Sequence, residues 1–200
     1  MKKSSVTEKK LYNFLAKLKT SPGDYVTLYV NPISFPHYIN ELPPSPEYSE
    51  CIAEIKELAN MEAVFHGVER YKTGAAIFCQ GDGSGYIVLP PFPISENMVS
   101  LGGLNTSVLY EILERKYTIG VVLVAWGSYA IGVFHGDNLV DSKVGTGYIH
   151  KEHKKGGSSQ KRFARRTAEQ KKDFLRKVGN RIDGRFKNHI LNYISLVRID

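Results

Sequence analysis

The sequence predicts a mixed α/β protein made of two small domains, and three observations carry that expectation. Apolar residues recur at helical spacing near both ends of the chain, while runs rich in β-branched and aromatic residues lie between them. Those runs fall into two groups, with Gly102-Gly103 closing the first. A capped helix then leads to a second set of strands, which places the boundary between residues 1–116 and 117–200. Two hundred residues are enough to bury a core in either case, and the 42% hydrophobic and 24% charged fractions are those of a globular protein.

The first helix is announced by Ser5-Val6-Thr7-Glu8, which has the form of a capping box. Leu11, Phe14, Leu15 and Leu18 follow as one apolar stripe, and Ser21-Pro22-Gly23 ends it. Tyr25 to Val30 reads as a strand. Five of the nine prolines then fall between Pro32 and Pro46, so that stretch is expected to be a non-helical surface excursion. A helix resumes near Glu47 with Ile52, Ile55 and Leu58 inward. Ala75 to Cys79 and Tyr86 to Leu89 form two strands around Gly81-Asp82-Gly83-Ser84-Gly85. Glycine loops that cradle phosphate stand between a strand and a helix. Here a second strand follows, so this loop reads as a hairpin tip.

Asn105 or Thr106 caps the next helix, which runs to about Lys116. Ile119 to Trp126 is a fully apolar strand, Gly127-Ser128 turns it back, and Tyr129 to Phe134 returns. Gly136-Asp137-Asn138 turns again before Leu139 to Val144, which completes an antiparallel meander. From about Arg162 the pattern is helical. Phe174, Val178, Ile182, Phe186, Ile190 and Ile194 recur every fourth residue, and Gly184 marks a break that resets the face.

Several function classes are excluded or demoted. The longest apolar run, Ile119 to Trp126, is far short of the roughly 20 residues a membrane span needs. No apolar stretch follows Met1-Lys2-Lys3, so a secretory signal is not expected. Cys51 and Cys79 lack metal or redox spacing and read as free buried thiols in a reducing, cytoplasmic compartment. No membrane partner, metal or cofactor is expected. His150 and His153 lie three apart, but no third ligand stands near them.

Charge is more informative. Fourteen Lys/Arg against four Asp/Glu between Lys151 and Lys187 give that segment +10 of a net charge of +7, and leave the rest of the chain at −3. One concentrated basic segment points to a polyanion, with RNA the usual candidate. It contains Lys154-Lys155-Gly156-Gly157-Ser158-Ser159-Gln160-Lys161-Arg162: adjacent glycines, two hydroxyls and a neutral amide between cations. Glutamine is no general base, so chemistry here would rest on positioning and backbone donors.

The run from Gly156 to Arg166, continuing through Phe174-Leu175-Arg176-Lys177-Val178, resembles the GGQ loop and basic helix of archaeal and eukaryotic class-1 peptide-chain release factors. Gln160-Lys161-Arg162-Phe163-Ala164-Arg165 stands for that family's Gln-x-x-Arg-Phe-Ala-Arg kernel. Gly74 to Cys79, Pro90-Pro91-Phe92-Pro93 and the helix after Asn105 look like the family's N-terminal domain. Ser158 and Ser159 separate Gly157 from Gln160, which is closer to the release-factor-like peptidyl-tRNA hydrolases of ribosome-associated quality control. The stop-codon motifs Asn-Ile-Lys-Ser and Tyr-x-Cys-x-x-x-Phe are absent.

The resemblance implies a ribonuclease-H-like second domain, apparently shortened at Asp200. It also implies codon-independent hydrolysis of the peptidyl-tRNA ester on stalled large subunits. Gly156, Gly157, Ser158, Ser159 and Gln160 would enter the peptidyl-transferase centre, where the Gln160 N–H stabilises developing charge and its side-chain amide orients water. Lys154, Lys155, Lys161, Arg162, Arg165 and Arg166 would contact rRNA or tRNA phosphates. Two other readings use the same segment: a nuclease cutting tRNA near its CCA end, with His150 or His153 as base, and a non-catalytic ribosome- or tRNA-binding module.

Overall fold

Helices and strands alternate along most of the chain because the apolar spacing switches repeatedly between periods of about 3.6 and 2. The computed structural model describes residues 7–147 and 159–199, and at residues 159–161, 163 and 164 it describes the backbone alone. The chain divides into two units, Met1–Glu114 and Arg115–Asp200.

The first unit holds α1 (Glu8–Thr20), β1 (Tyr25–Val30), α2 (His37–Asn40), α3 (Ser49–Asn60), α4 (Glu62–Tyr71), β2 (Ala75–Gln80), β3 (Gly85–Val88), β4 (Met98–Leu101) and α5 (Ser107–Glu114). Its four strands form an antiparallel sheet in the order β3-β2-β1-β4. All six β1 side chains are buried because alternate residues feed two cores. Val26, Leu28 and Val30 pack with Ile39, Ile55 and Val64 of α2, α3 and α4. Tyr25 and Tyr29 pack with Leu11, Leu15 and Leu18 of α1 and Leu109 and Ile112 of α5. Both cysteines are buried and free. Their thiols share one acceptor, the Gln80 carbonyl, at 3.1 Å from Cys51 and 3.5 Å from Cys79. Burial and the neighbouring Cys51 push the Cys79 thiol well above its usual range, which keeps it neutral and unreactive.

The second unit holds β5 (Thr118–Ala125), β6 (Ser128–His135), β7 (Asn138–Thr146), α6 (Ser159–Phe186) and β8 (Tyr193–Arg198). Its sheet order is β7-β6-β5-β8. The first three strands form the antiparallel meander, and β8 lies parallel to β5 on the other side. A meander, a crossover helix and a parallel return strand make up a mixed α/β unit. One face of the sheet, carrying Val122, Tyr129, Ile131 and Val133, packs against Phe174, Val178 and Phe186 of α6.

Five sequence expectations need correcting. Thr7, the third residue of the predicted box and not its first, is the N-cap of α1, and it makes no side-chain capping bond. Ser5 lies outside the described residues. The proline-rich stretch does contain a helical turn, α2, because Phe35, Ile39 and Leu42 are drawn into the core. Helix α4 and strand β4 were not expected. Helix α6 begins at Ser159, three residues before the expected Arg162. Finally, α6 runs through Gly184 unbroken and ends at Phe186, so Ile190 and Ile194 do not continue its stripe. Ile190 is 93% exposed, and Ile194 belongs to β8.

Candidate functional site: the root of the basic helix

Two glycines fix where the chain leaves the second sheet. Gly145 pairs with Tyr129 across β6 and β7, and a Cβ there would collide with the Tyr129 ring. At Gly147 a Cβ would collide with the Phe174 ring. Both rings are buried, at 4% exposure, and their centroids are 6.3 Å apart. The Gly147 N–H donates to the Gly127 carbonyl at 2.9 Å, and Lys177 Nζ donates to the Thr146 carbonyl at 3.3 Å. The end of β7 is thereby tied to the β5–β6 turn and to α6. Sequence reading missed these residues. The only sequence signal was glycine alternating with aromatic residues in neighbouring strands.

Of the predicted site residues, Lys154, Lys155, Gly156, Gly157 and Ser158 lie outside the described residues, as do His150 and His153. The backbones of Ser159, Gln160 and Lys161 form the first turn of α6. N–H groups in a first helical turn have no acceptor within their own helix, and the helix dipole adds positive potential there. The Gln160 N–H belongs to that set. Its place in the helix also means that Gln160 is not the residue preceding the helix, where a capping side chain would sit.

The electrostatics of this end oppose helix stability. The first turn of α6 contains no acidic residue, and Lys161, Arg162, Arg165 and Arg166 follow within two turns. Cations at a helix N-terminus oppose the dipole, at a cost of about 0.3–1 kcal/mol each for exposed groups. Arg162, Arg165 and Arg166 are exposed. Thr167 is buried, and at 100° per residue Arg162 and Arg165 stand about 140° and 160° around the helix from it. Arg162 and Arg165 therefore occupy the side of α6 turned away from Thr167, and Arg166, about 100° from it, lies on the flank. Arg165 Nε lies 3.0 Å from Glu169 Oε1, but both side chains are exposed and such a pair contributes little.

The other end of the helix is anchored. Arg185 Nη1 and Asp141 Oδ1 of β7 pair at 2.6 Å, and His189 Nε2 lies 3.5 Å from Asp141 Oδ2. Phe186 fills the space over Gly120, where a Cβ would stand 2.6 Å from its Cζ. Among the described residues, no three His, Cys, Asp or Glu side chains gather to hold a metal. Among them too, no helix is long and apolar enough to cross a membrane.

The profile of a family described as "Actinobacteria/chloroflexi VLRF1 release factor" matches residues 117–197. Peptide chain release factor subunit 1 of Aeropyrum pernix is 30% identical over 112 residues, which cover 53% of this chain and 30% of that protein. Among solved structures, an archaeal translation termination factor, aRF1, aligns with 96% of this chain and 57% of its own length, at 17% identity and a TM-score of 0.36. A structure titled only as an archaeal protein aligns with 97% of this chain and 57% of its own, at 16% identity and a TM-score of 0.35. The chain thus spans under a third of the curated relative's length.

Proposed function

We propose that this chain, whose residues 117–197 match a release-factor family profile, hydrolyses the ester of peptidyl-tRNA on the large ribosomal subunit. It releases nascent chains from stalled subunits without regard to the codon. In the reaction, water adds to the ester carbonyl and the bond to the tRNA 3′ oxygen breaks. A proton passes to that oxygen, leaving a free peptide carboxylate and intact tRNA. The Gln160 N–H, with no acceptor inside its helix, is the donor offered to the developing oxyanion or the leaving 3′ oxygen. A single donor of this kind is worth about 2.7–4 kcal/mol of barrier. The side-chain amide of Gln160 takes the water-orienting role that the resemblance implies, with Gly156, Gly157 and Ser158 as the reactive loop and Ser159 at its junction with α6.

The observation that carries this reading is the crowding of Lys161, Arg162, Arg165 and Arg166 at the positive end of a helix dipole. Such an arrangement costs folding energy and is offset when a polyanion is bound. Within the reading, Lys154 and Lys155 join these four against rRNA or tRNA phosphates.

The test is incubation of the full chain with stalled large subunits carrying labelled peptidyl-tRNA. Free peptide and full-length tRNA are expected. Shortened tRNA would mean nuclease action instead, and unchanged peptidyl-tRNA would mean a binding module.

A further inference from the structure

Trp126 is the single tryptophan of the chain, and it stands 46% exposed just beyond the end of β5. Two cations from different elements lie over its ring. Lys171 Nζ of α6 is 5.0 Å from the ring centroid, and Arg198 Cζ at the end of β8 is 5.9 Å away. Beside the indole opens a groove of about 330 Å³ walled by Val124, Leu175, Val178, Ile182, Leu196 and Ile199. The next residue, Gly127, accepts the Gly147 N–H, so the indole stands beside the point where β7 ends. Nothing in the hydrolytic mechanism uses this cluster.

We infer that Trp126, Lys171 and Arg198 form a stacking site for one unpaired RNA nucleotide, whose base lies on the indole while the two cations meet its flanking phosphates. The inference rests on the ribosomal reading above and adds a contact that reads a base face rather than backbone charge. Single-stranded RNA is held by this combination of aromatic surface and cations, which accepts any base because every base has a π-face. Attraction to the ring quadrupole holds the cations near where the phosphates would arrive. An acidic, apolar peptide is the other class of partner that a cation-rimmed groove fits. RNA is favoured because Lys171 belongs to a segment, 151–187, that carries +10, more than a short acidic peptide would neutralise. It is also favoured because the exposed group is a flat ring with cations upon it, where an aliphatic pocket alone would serve a peptide.

Because Trp126 is the only indole, its fluorescence reports this site directly. The full chain is titrated with a short single-stranded oligoadenylate RNA, with inorganic polyphosphate and with an acidic amphipathic peptide, all without ribosomes. Saturable quenching by the RNA and not by polyphosphate is expected. Trp126→Leu should weaken RNA binding about tenfold, measured with labelled RNA, whereas Trp126→Tyr should retain most of it. Equal quenching by polyphosphate would overturn stacking in favour of charge alone. Binding of the peptide in preference to RNA would overturn the choice of partner, and full affinity in Trp126→Leu would overturn the role of the ring. Oligonucleotide binding is scored independently of peptide release, so the failure of either reading leaves the other standing on its own measurement.

Discussion

The two sheets have the same number of strands but treat their faces differently. In the first unit, β1 is buried at every position, with three helices on one face and two on the other. In the second, β6 alternates between buried and more exposed positions, and α6 packs against one face. There Leu196 and Val144 are each 71% exposed. The first unit covers both faces of its sheet with helices. The second leaves apolar surface open and gathers cations where they oppose its own helix. A domain arranged in that way is shaped by what it touches.

The sharpest way to break this comparison is to truncate one residue in each sheet. Phe78 is fully buried in the first unit, so Phe78→Ala should cost about 3–5 kcal/mol of stability in urea unfolding. Val144→Ala in the second should stay within about 0.5 kcal/mol. Similar losses for both would erase the distinction. Next in size is Gln160→Ala, which should lower peptide release at least tenfold, or about 1.4 kcal/mol of barrier, with ribosome affinity and melting temperature unchanged. A falling melting temperature with normal release would assign Gln160 to the helix alone.

The cations can be examined through salt. Six phosphate contacts predict a log–log slope of about −4 to −5 for binding to large subunits, and reversing Arg165 and Arg166 to Glu should flatten it by about two contacts. Lys56→Glu in the first unit should leave the slope unchanged, and equal behaviour of the two variants would reduce the basic segment to a solvated surface. The smallest expected effect is a gain. Gly184 lies inside α6 with open space around its would-be Cβ, so Gly184→Ala should stabilise the second unit by up to about 1 kcal/mol, read as a higher urea midpoint.

Long or strongly patterned elements were legible from sequence. The stripe of α1, the strand β1 and the turns of the β5–β7 meander follow from local spacing and turn residues. Helix α4 was not legible because it follows α3 after Met61 alone, and Gly67 interrupts its pattern. Strand β4 is too short for alternation to stand out. Strand β8 was absorbed into the preceding helix because apolar residues every fourth position satisfy both periods over a short run. At the site, the motif around Gln160 was legible as a string of residue types. The fit of Gly145 and Gly147 against Tyr129 and Phe174 was not, since it depends on chain segments far apart in sequence meeting at van der Waals contact.

The length of α6 has a mechanical consequence. Its 28 residues span about 42 Å. Thr167 is the first buried side chain among those described along it, about 12 Å of axis from Ser159. Phe186 and the Asp141–Arg185 pair clamp the far end. The helix is thus held firmly at its C-terminal end, while its other end has the girth of one helix, roughly 10–12 Å. Any force applied at that end would be borne through the Asp141–Arg185 clamp.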